Sequence, residues 1–462
     1  MGGRILSRLI AISNRVAEPS AGKAAGGLAV GIMAALRQSG GVWFGWGGKT
    51  CHGEPSEPRQ RRRGDITFAT IDISKADFDG YYNGYCNGTL WPLFHYMLGI
   101  LKYNRDHHEA YQKVNQLFAR KLRPLLRDDD RIWVHDYHLI PLAQELRRAG
   151  VEQPIGFFLH VPFPSFDVLR TLPGHQRLLE ALAQYDVVGF QTAQDCENFL
   201  GCLRSAGMGG ERGVDGRIAV RGRRMLVGAF PIGIDVAEAE DQAASAVKSA
   251  SVQRLARDLG ERQLVIGVDR LDYSKGLPER FRSFETLLER HPASHRQLVF
   301  LQIASPTRSG VRAYDEIRYE LEQSAGHING RFAEPDWTPI RYINRGISRK
   351  MLMGYFRVSQ VGLVTPMRDG MNLVAKEFVA AQDPENPGVL VLSRLAGAAA
   401  ELGEDAVLVN PYDPVGVADA ILTAFEMPLE ERRARHAAMM RVLRGHDIHA
   451  WRTQFVDALG GA

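Results

Sequence analysis

Short apolar runs rich in β-branched residues alternate with longer helix-like segments along the whole chain, and this alternation constrains the fold more than any single motif. Such runs lack a polar face, so sheets built from them must be covered on both sides, as parallel sheets in α/β proteins are. In the first half the runs are Leu9–Ser13, Ile132–His135, Ile155–Leu159, Val187–Phe190 and Met225–Phe230. In the second half they are Leu264–Val268, Leu298–Ile303, Ile340–Ile343, Val361–Thr365, Val389–Leu392 and Ala406–Val409. A chain of 462 residues is too long for one ordinary core. An Ala-, Asp- and Glu-rich segment begins around Pro231–Asp235, so the expected domains are 1–235 and a second one beginning at 236.

Polar residues that stand out follow the runs: Arg15, Asp136 and His160 in the first half, then Arg270, Arg308 and Asp369. Ligands of open α/β sheets bind beyond the carboxyl ends of the strands. The expected architecture is two doubly wound, Rossmann-like domains whose strand ends face each other across a deep cleft.

Charge narrows the partners. With 57 basic against 53 acidic residues the net charge is +4, less concentrated than a nucleic-acid binder requires. The densest basic run, Arg59–Arg63, sits among Pro and Gly without aromatic neighbours and reads as a solvated loop. Cys51, Cys86, Cys196 and Cys202 have neither metal-ligand spacing nor a disulfide pattern. No apolar run reaches membrane-spanning length, and Met1–Leu9 lacks a signal-peptide core, so a cytoplasmic protein without a membrane partner is expected.

The chemistry is densest in V-D-R-L-D-Y-S-K-G, Val268–Gly276, and R-D-G-M-N-L-V-A-K-E, Arg368–Glu377. Arg270 and Lys275 place two cations in a loop after a strand. Gly370 and Asn372 open a helix whose first backbone N–H groups are available to an anion. Glu377, further along that helix, suits a ribose. Cations and a helix start fit a diphosphate, and a carboxylate beside them fits sugar hydroxyls; together they read as a nucleotide-sugar site.

Other segments extend it. Ser20–Gly31 is a Gly-rich loop opening a helix, and with Arg15 before it Gly26 and Gly27 allow close approach of a sugar diphosphate. Trp43–Gly47 and Tyr81–Pro92 are unusually aromatic for loop-like sequence, which turns Trp46, Tyr82 and Trp91 toward a site wall. In W-V-H-D-Y-H-L, Trp133–Leu139, alternate strand residues face opposite ways, which argues against a three-ligand metal site. Asp136 is the functional candidate there, and His135 and His138 are read as structural hydrogen-bonders. Asp128–Asp130 precedes its strand and reads as a solvated turn. His160 ends a buried strand and faces the ligand side.

Assembled, G-G-L-A-V-G, W-F-G-W, H-D-Y-H-L, F-L-H-V-P-F-P, D-R-L-D-Y-S-K-G and D-G-M-N-L-V-A-K-E resemble the bacterial trehalose-6-phosphate synthases, retaining glycosyltransferases of the two-domain GT-B fold. The resemblance runs from Ser13–Arg15 to Asn410–Asp413. It implies that Arg15, Tyr82, Asp136 and Arg308 hold glucose 6-phosphate, the two arginines gripping its phosphate, with Trp46 and Trp91 lining the pocket. Gly26 and Gly27 would lie against UDP-glucose. Arg270 and Lys275 would neutralise its diphosphate. Gly370, Met371 and Asn372 would lead into Leu373, Val374, Ala375, Lys376 and Glu377, which cover diphosphate and ribose. His160 and Asp369 would bond the transferred glucose. A backbone contact to uracil falls at Ile347, where relatives often carry Phe. The resemblance further implies a last helix, 450–462, returning to the first domain, which leaves 236–449 as the second. It also implies a homotetramer, a role in osmoprotection, and no metal or cofactor, UDP-glucose being a substrate.

Within that resemblance the mechanism is front-face transfer through an oxocarbenium-like ion pair, the β-phosphate taking the acceptor hydroxyl's proton. Glucosylglycerol-phosphate synthases and aminocyclitol-phosphate pseudo-glycosyltransferases share the framework, so acceptor and donor base stay open at the level of sequence. An epimerase would need no acceptor pocket, and a silent sensor would not need Arg270, Lys275 and Glu377 together.

Overall fold

The computed structural model describes residues 8–17, 27–307 and 312–461. The chain forms two compact units, Met1–Ile232 with Ile448–Ala462, and Gly233–Asp447. Asp235, where the sequence puts the end of the first domain, caps the helix Val236–Ala246 of the second unit, its carboxylate accepting from the Glu238 N–H.

Among the described residues of the first unit, ten strands form one sheet. They are β1 (Leu9–Arg15), β2 (Gly41–Cys51), β3 (Arg59–Arg63), β4 (Ile66–Ser74), β5 (Arg131–His135), β6 (Ile155–Phe158), β7 (Val187–Phe190), β8 (Gly209–Arg212), β9 (Arg217–Val220) and β10 (Arg223–Ala229). Their order is β3-β4-β2-β1-β5-β6-β7-β10-β9-β8. Neighbours from β4 through β10 are parallel, while β3 on one edge and β9 and β8 on the other pair antiparallel. Ile10, Ile12, Trp133 and Val134 are wholly buried, which is why the central strands carry unbroken apolar runs. The chain winds outward from β1 to β2 and β4, then from β5 the other way, so the winding reverses between β1 and β5.

The second unit carries β11 (Gln263–Arg270), β12 (Leu298–Ser305), β13 (Ile340–Ile343), β14 (Val361–Val364), β15 (Val389–Ser393) and β16 (Val407–Val409). All pairs are parallel in the order β13-β12-β11-β14-β15-β16, with the reversal between β11 and β14. Each unit is therefore doubly wound. Among the described residues no helix is long and apolar enough to cross a membrane.

Four local expectations fail for physical reasons. Trp43–Gly47 is not a loop but the middle of β2, paired with β1 and β4. Arg59–Arg63 is not a loop either: it is the edge strand β3, with all five residues exposed. Charge along an edge discourages further strand pairing, and Arg59 pairs with Asp72 of β4 at 2.6 Å. Tyr81–Pro92 begins within a π-helix, Phe78–Leu90, whose i→i+5 bonding widens the turn. Its buried positions, among them Tyr81, Cys86 and Leu90, follow that wider turn, so α-helical periodicity is missing from the sequence. Finally, Asp130 is not solvated. Arg8 donates to both its oxygens at 2.8 and 2.7 Å, tying the residue before β1 to the residue before β5.

The last helix, Ile448–Gly460, belongs to the first unit. Phe455 stacks on Trp133 with centroids 4.7 Å apart, and Trp451 lies 4.9 Å from the same ring. Gly156 on β6 and Gly189 on β7 make this seat, since a Cβ at either would come within 2.7 Å of the Phe455 ring.

Candidate active site

In the first unit Arg15 and Asp136 lie at the ends of β1 and β5, the two strands between which the winding reverses. Open α/β sheets bind ligands at this point. Trp46 is in register with Arg15, and its ring lies 5.6 Å from the Arg15 guanidinium. The indole N–H of Trp46 donates to the Lys49 carbonyl at 2.6 Å, so Trp46 offers its face rather than a donor. Tyr82 lies 6.3 Å from Trp46, between stacked Phe78 at 5.2 Å and His138 at 5.8 Å. Among the described residues neither the Arg15 guanidinium nor the Tyr82 hydroxyl has a hydrogen-bond or ion-pair partner in the protein, which leaves both for a ligand.

Asp136 holds φ 76° and ψ 163°, a conformation that side chains other than glycine rarely adopt. Strain of this kind concentrates at functional positions. Its backbone N–H donates to the Phe158 carbonyl at 2.8 Å, and Oδ1 accepts from the His160 N–H at 3.3 Å. Trp91 is more deeply packed than a site wall requires, with His95 at 4.1 Å and Tyr137 at 5.7 Å, and is 5% exposed. His160, just beyond β6, is partly buried, and burial pushes its pKa down to about 3. Arg15, Trp46, Tyr82, Asp136 and His160 thus share one end of one sheet.

The second unit repeats the arrangement at its own reversal. Arg270 ends β11 and is exposed. Lys275 follows in the 3-10 turn Tyr273–Lys275, and Asp369 and Gly370 follow β14. Lys275 donates to Asp369 Oδ2 at 2.5 Å, and the Asn372 amide donates to the same oxygen at 3.0 Å. Asn372, at φ 81°, caps the helix Leu373–Ala381 by accepting from the Ala375 N–H at 3.2 Å. The N–H groups of Leu373 and Val374 at that helix start have no acceptor among the described residues. Met371 is buried. Glu377 accepts from Arg349 at 3.0 Å through one oxygen, and burial raises its pKa against the pull of that arginine. Ile347 precedes Ser348, the residue before the helix Arg349–Arg357.

Within the segment Leu373–Glu377 the Lys376 side chain points inward, 0% exposed, and pairs with Glu401 at 2.6 Å. Gly26 and Arg308 lie outside the described residues, and Gly27 begins the helix Gly27–Ser39.

Sequence reasoning missed the network beneath the second site. Arg280, 1% exposed, donates to Asp269 at 2.6 Å, Gln302 at 2.9 Å and Thr365 at 3.0 Å, joining the ends of β11, β12 and β14. The available signal was an arginine inside the apolar stripe Leu277, Phe281, Phe284, Leu288. Also missed was His138 as a stacking partner of Tyr82. Among the described residues no group of three or more His, Cys, Asp or Glu is arranged to hold a metal ion.

Two doubly wound units, each with its polar residues at a topological switch point, are the architecture expected of the GT-B class. The Glycosyltransferase family 20 model matches residues 10–460, and the chain belongs to that family. It is 49% identical to trehalose-6-phosphate synthase of Klebsiella pneumoniae over 98% of this chain and 95% of the relative. An α,α-trehalose-phosphate synthase (UDP-forming) of Burkholderia xenovorans, in complex with glucose 6-phosphate, superposes with a TM-score of 0.94 at 51% identity, covering 98% of this chain and all of the other. An E. coli structure bound with UDP-2-fluoro glucose gives a TM-score of 0.94 at 48% identity over 98% and 99% of the two chains.

Proposed function

We propose that the protein transfers glucose from UDP-glucose to glucose 6-phosphate with retention, yielding α,α-trehalose 6-phosphate and UDP. The similarity to a glucose 6-phosphate-bound synthase across 98% of the chain carries this reading. Arg15, Tyr82 and Asp136, with Trp46 and Trp91, take the acceptor, joined by Arg308. Arg270, Lys275, the N–H groups of Leu373 and Val374, and Glu377 take UDP. Gly26, Gly27 and the Ile347 backbone complete the donor site.

The C1–phosphate bond breaks as the bond from C1 to the acceptor oxygen forms on the same face. The acceptor's proton passes to the departing β-phosphate. Arg270 and Lys275 stabilise the charge developing there, the work a divalent metal does elsewhere, and positioning plus fixed charge supply the rate. Asp369 holds Lys275 and, with His160, orients the transferred sugar. We further infer a cytoplasmic homotetramer whose product serves osmoprotection.

A matrix of UDP-, GDP- and ADP-glucose against glucose 6-phosphate, glycerol 3-phosphate and glucose, with products read by mass, tests the reading. UDP-glucose with glucose 6-phosphate should give a disaccharide phosphate. A much better reaction with glycerol 3-phosphate would replace the acceptor assignment.

A further inference from the structure

We infer that His135 is a positioning residue which fixes His160 as its Nδ1–H tautomer, so that His160 donates a hydrogen bond to a hydroxyl oxygen of the transferred sugar. The inference rests on the proposed reading for the identity of that sugar, while the tautomer itself follows from the geometry of the first unit alone.

His135, the last residue of β5, is wholly buried, and its Nδ1 lies 3.2 Å from Nε2 of His160. Burial lowers the pKa of both rings, so each carries one proton near neutrality. One ring must then donate and the other accept. The remaining nitrogen of His135, Nε2, is buried with no hydrogen-bond partner. Its ring neighbours are the indoles of Trp133 and Trp451, with centroids 4.5 and 6.3 Å away, and their own buried N–H groups also lack acceptors.

If His160 donated, the His135 proton would have to sit on Nε2, adding a third buried donor where nothing accepts. If His135 donates from Nδ1, its Nε2 is a bare nitrogen in surroundings that offer donors. The second arrangement leaves fewer donors unpaired. His160 then accepts at Nε2 and must carry its proton on Nδ1. That atom makes no hydrogen bond to the protein among the described residues and stays open to solvent. Which nitrogen carries the proton is thus set by the partner at the other one.

Trp451 of the last helix packs against both rings, 6.3 Å from His135 and 6.1 Å from His160. The helix Ile448–Gly460 therefore also seals the dry surroundings on which the tautomer depends.

The test is ¹⁵N NMR of histidine-labelled protein without substrate, with His160 assigned from the spectrum of His160→Gln. Wild type should show His160 protonated on Nδ1 and bare on Nε2; an Nε2–H tautomer overturns the inference outright, whatever reaction the enzyme catalyses. His135→Phe should shift His160 toward Nε2–H and lower kcat about 10–100-fold, the range typical of groups that orient an imidazole from behind, with KM for glucose 6-phosphate unchanged. His135→Asn, which can donate from nearly the same position, should restore the Nδ1–H signature and most of kcat. A His135→Phe protein that keeps both the wild-type tautomer and the wild-type rate, or loses rate with no change of tautomer, contradicts a positioning role. A wild type with the Nδ1–H signature but no glucosyl transfer would sink the proposed function and leave the tautomer standing.

Discussion

Lys275 and Arg270 are both cations, but their surroundings make them unequal. Lys275 is buried and bonded to Asp369 at 2.5 Å, and Arg270 is exposed at the end of its strand. Removing a charge-assisted donor at a developing anion costs about 10²–10³ in turnover. Arg270→Ala should fall in that range. Lys275→Ala should fall further, because it also leaves the Asp369 carboxylate facing the diphosphate, and Asp369→Asn in that background should recover part of the loss. Steady-state kcat of the four proteins, with and without EDTA, checks this; activity abolished by EDTA but kept by the alanine variants would contradict metal-free stabilisation. His160 adds a pH dependence. Its folded pKa, about 3, lies below the ordinary histidine value of 6.5, so only the unfolded chain takes up a proton as pH falls between them. The resulting stability is fully present above 6.5 and is lost progressively toward 3. At pH 5 the loss from this ring is on the order of 2 kcal/mol, and His160→Gln should show a smaller fall in melting temperature from pH 7 to pH 5 than wild type. Single residues were legible where strand ends exposed them, as with Arg15, Asp136 and Arg270. They were not legible where burial reversed an ordinary polarity: Asp130, Arg280 and Lys376 are charged groups inside, and only their partners, distant in sequence, explain them.

At the level of elements, most parallel strands announce themselves because burial on both faces demands unbroken apolar runs. The strands β2, β3 and β4 do not, since glycines, arginines and alternating polar residues occupy them. The π-helix Phe78–Leu90 escapes for a different reason: its wider turn matches no α-helical template, although it carries Tyr82. The turn between Lys275 and the helix Leu277–Arg290 hinges on Gly276, at φ 64°, where a Cβ would come 2.7 Å from the Thr365 carbonyl. Gly174, also left-handed at φ 78°, has nothing within 4 Å. Gly174→Ala should therefore cost only about 1–2 kcal/mol of backbone strain. Gly276→Ala should cost more and also weaken UDP binding by displacing Lys275; thermal melts and UDP titrations separate the two, and equal behaviour of the variants would contradict a steric role. The closing helix has its own prediction. Phe455 fills the seat left by Gly156 and Gly189, so Phe455→Ala should destabilise by about 3–5 kcal/mol, measured against the conservative Phe455→Leu.

For the whole molecule, the proposed function divides the substrates between the two units: glucose 6-phosphate at the β1/β5 reversal of the first, UDP at the β11/β14 reversal of the second. Two doubly wound units were legible from the order of runs, whereas the return of a last helix, 450–462, to the first domain was implied only by resemblance, because no local pattern tells a helix which sheet it covers; the helix that returns is Ile448–Gly460. Isothermal calorimetry of UDP and glucose 6-phosphate against Arg15→Ala and Arg270→Ala separates the two units' roles. The expected pattern is crossed: Arg15→Ala loses at least tenfold in affinity for glucose 6-phosphate, measured with UDP present, while its UDP affinity changes little, and Arg270→Ala does the reverse. If both variants lose both ligands equally, or the pattern is inverted, the assignment of acceptor and donor to the two switch points is wrong.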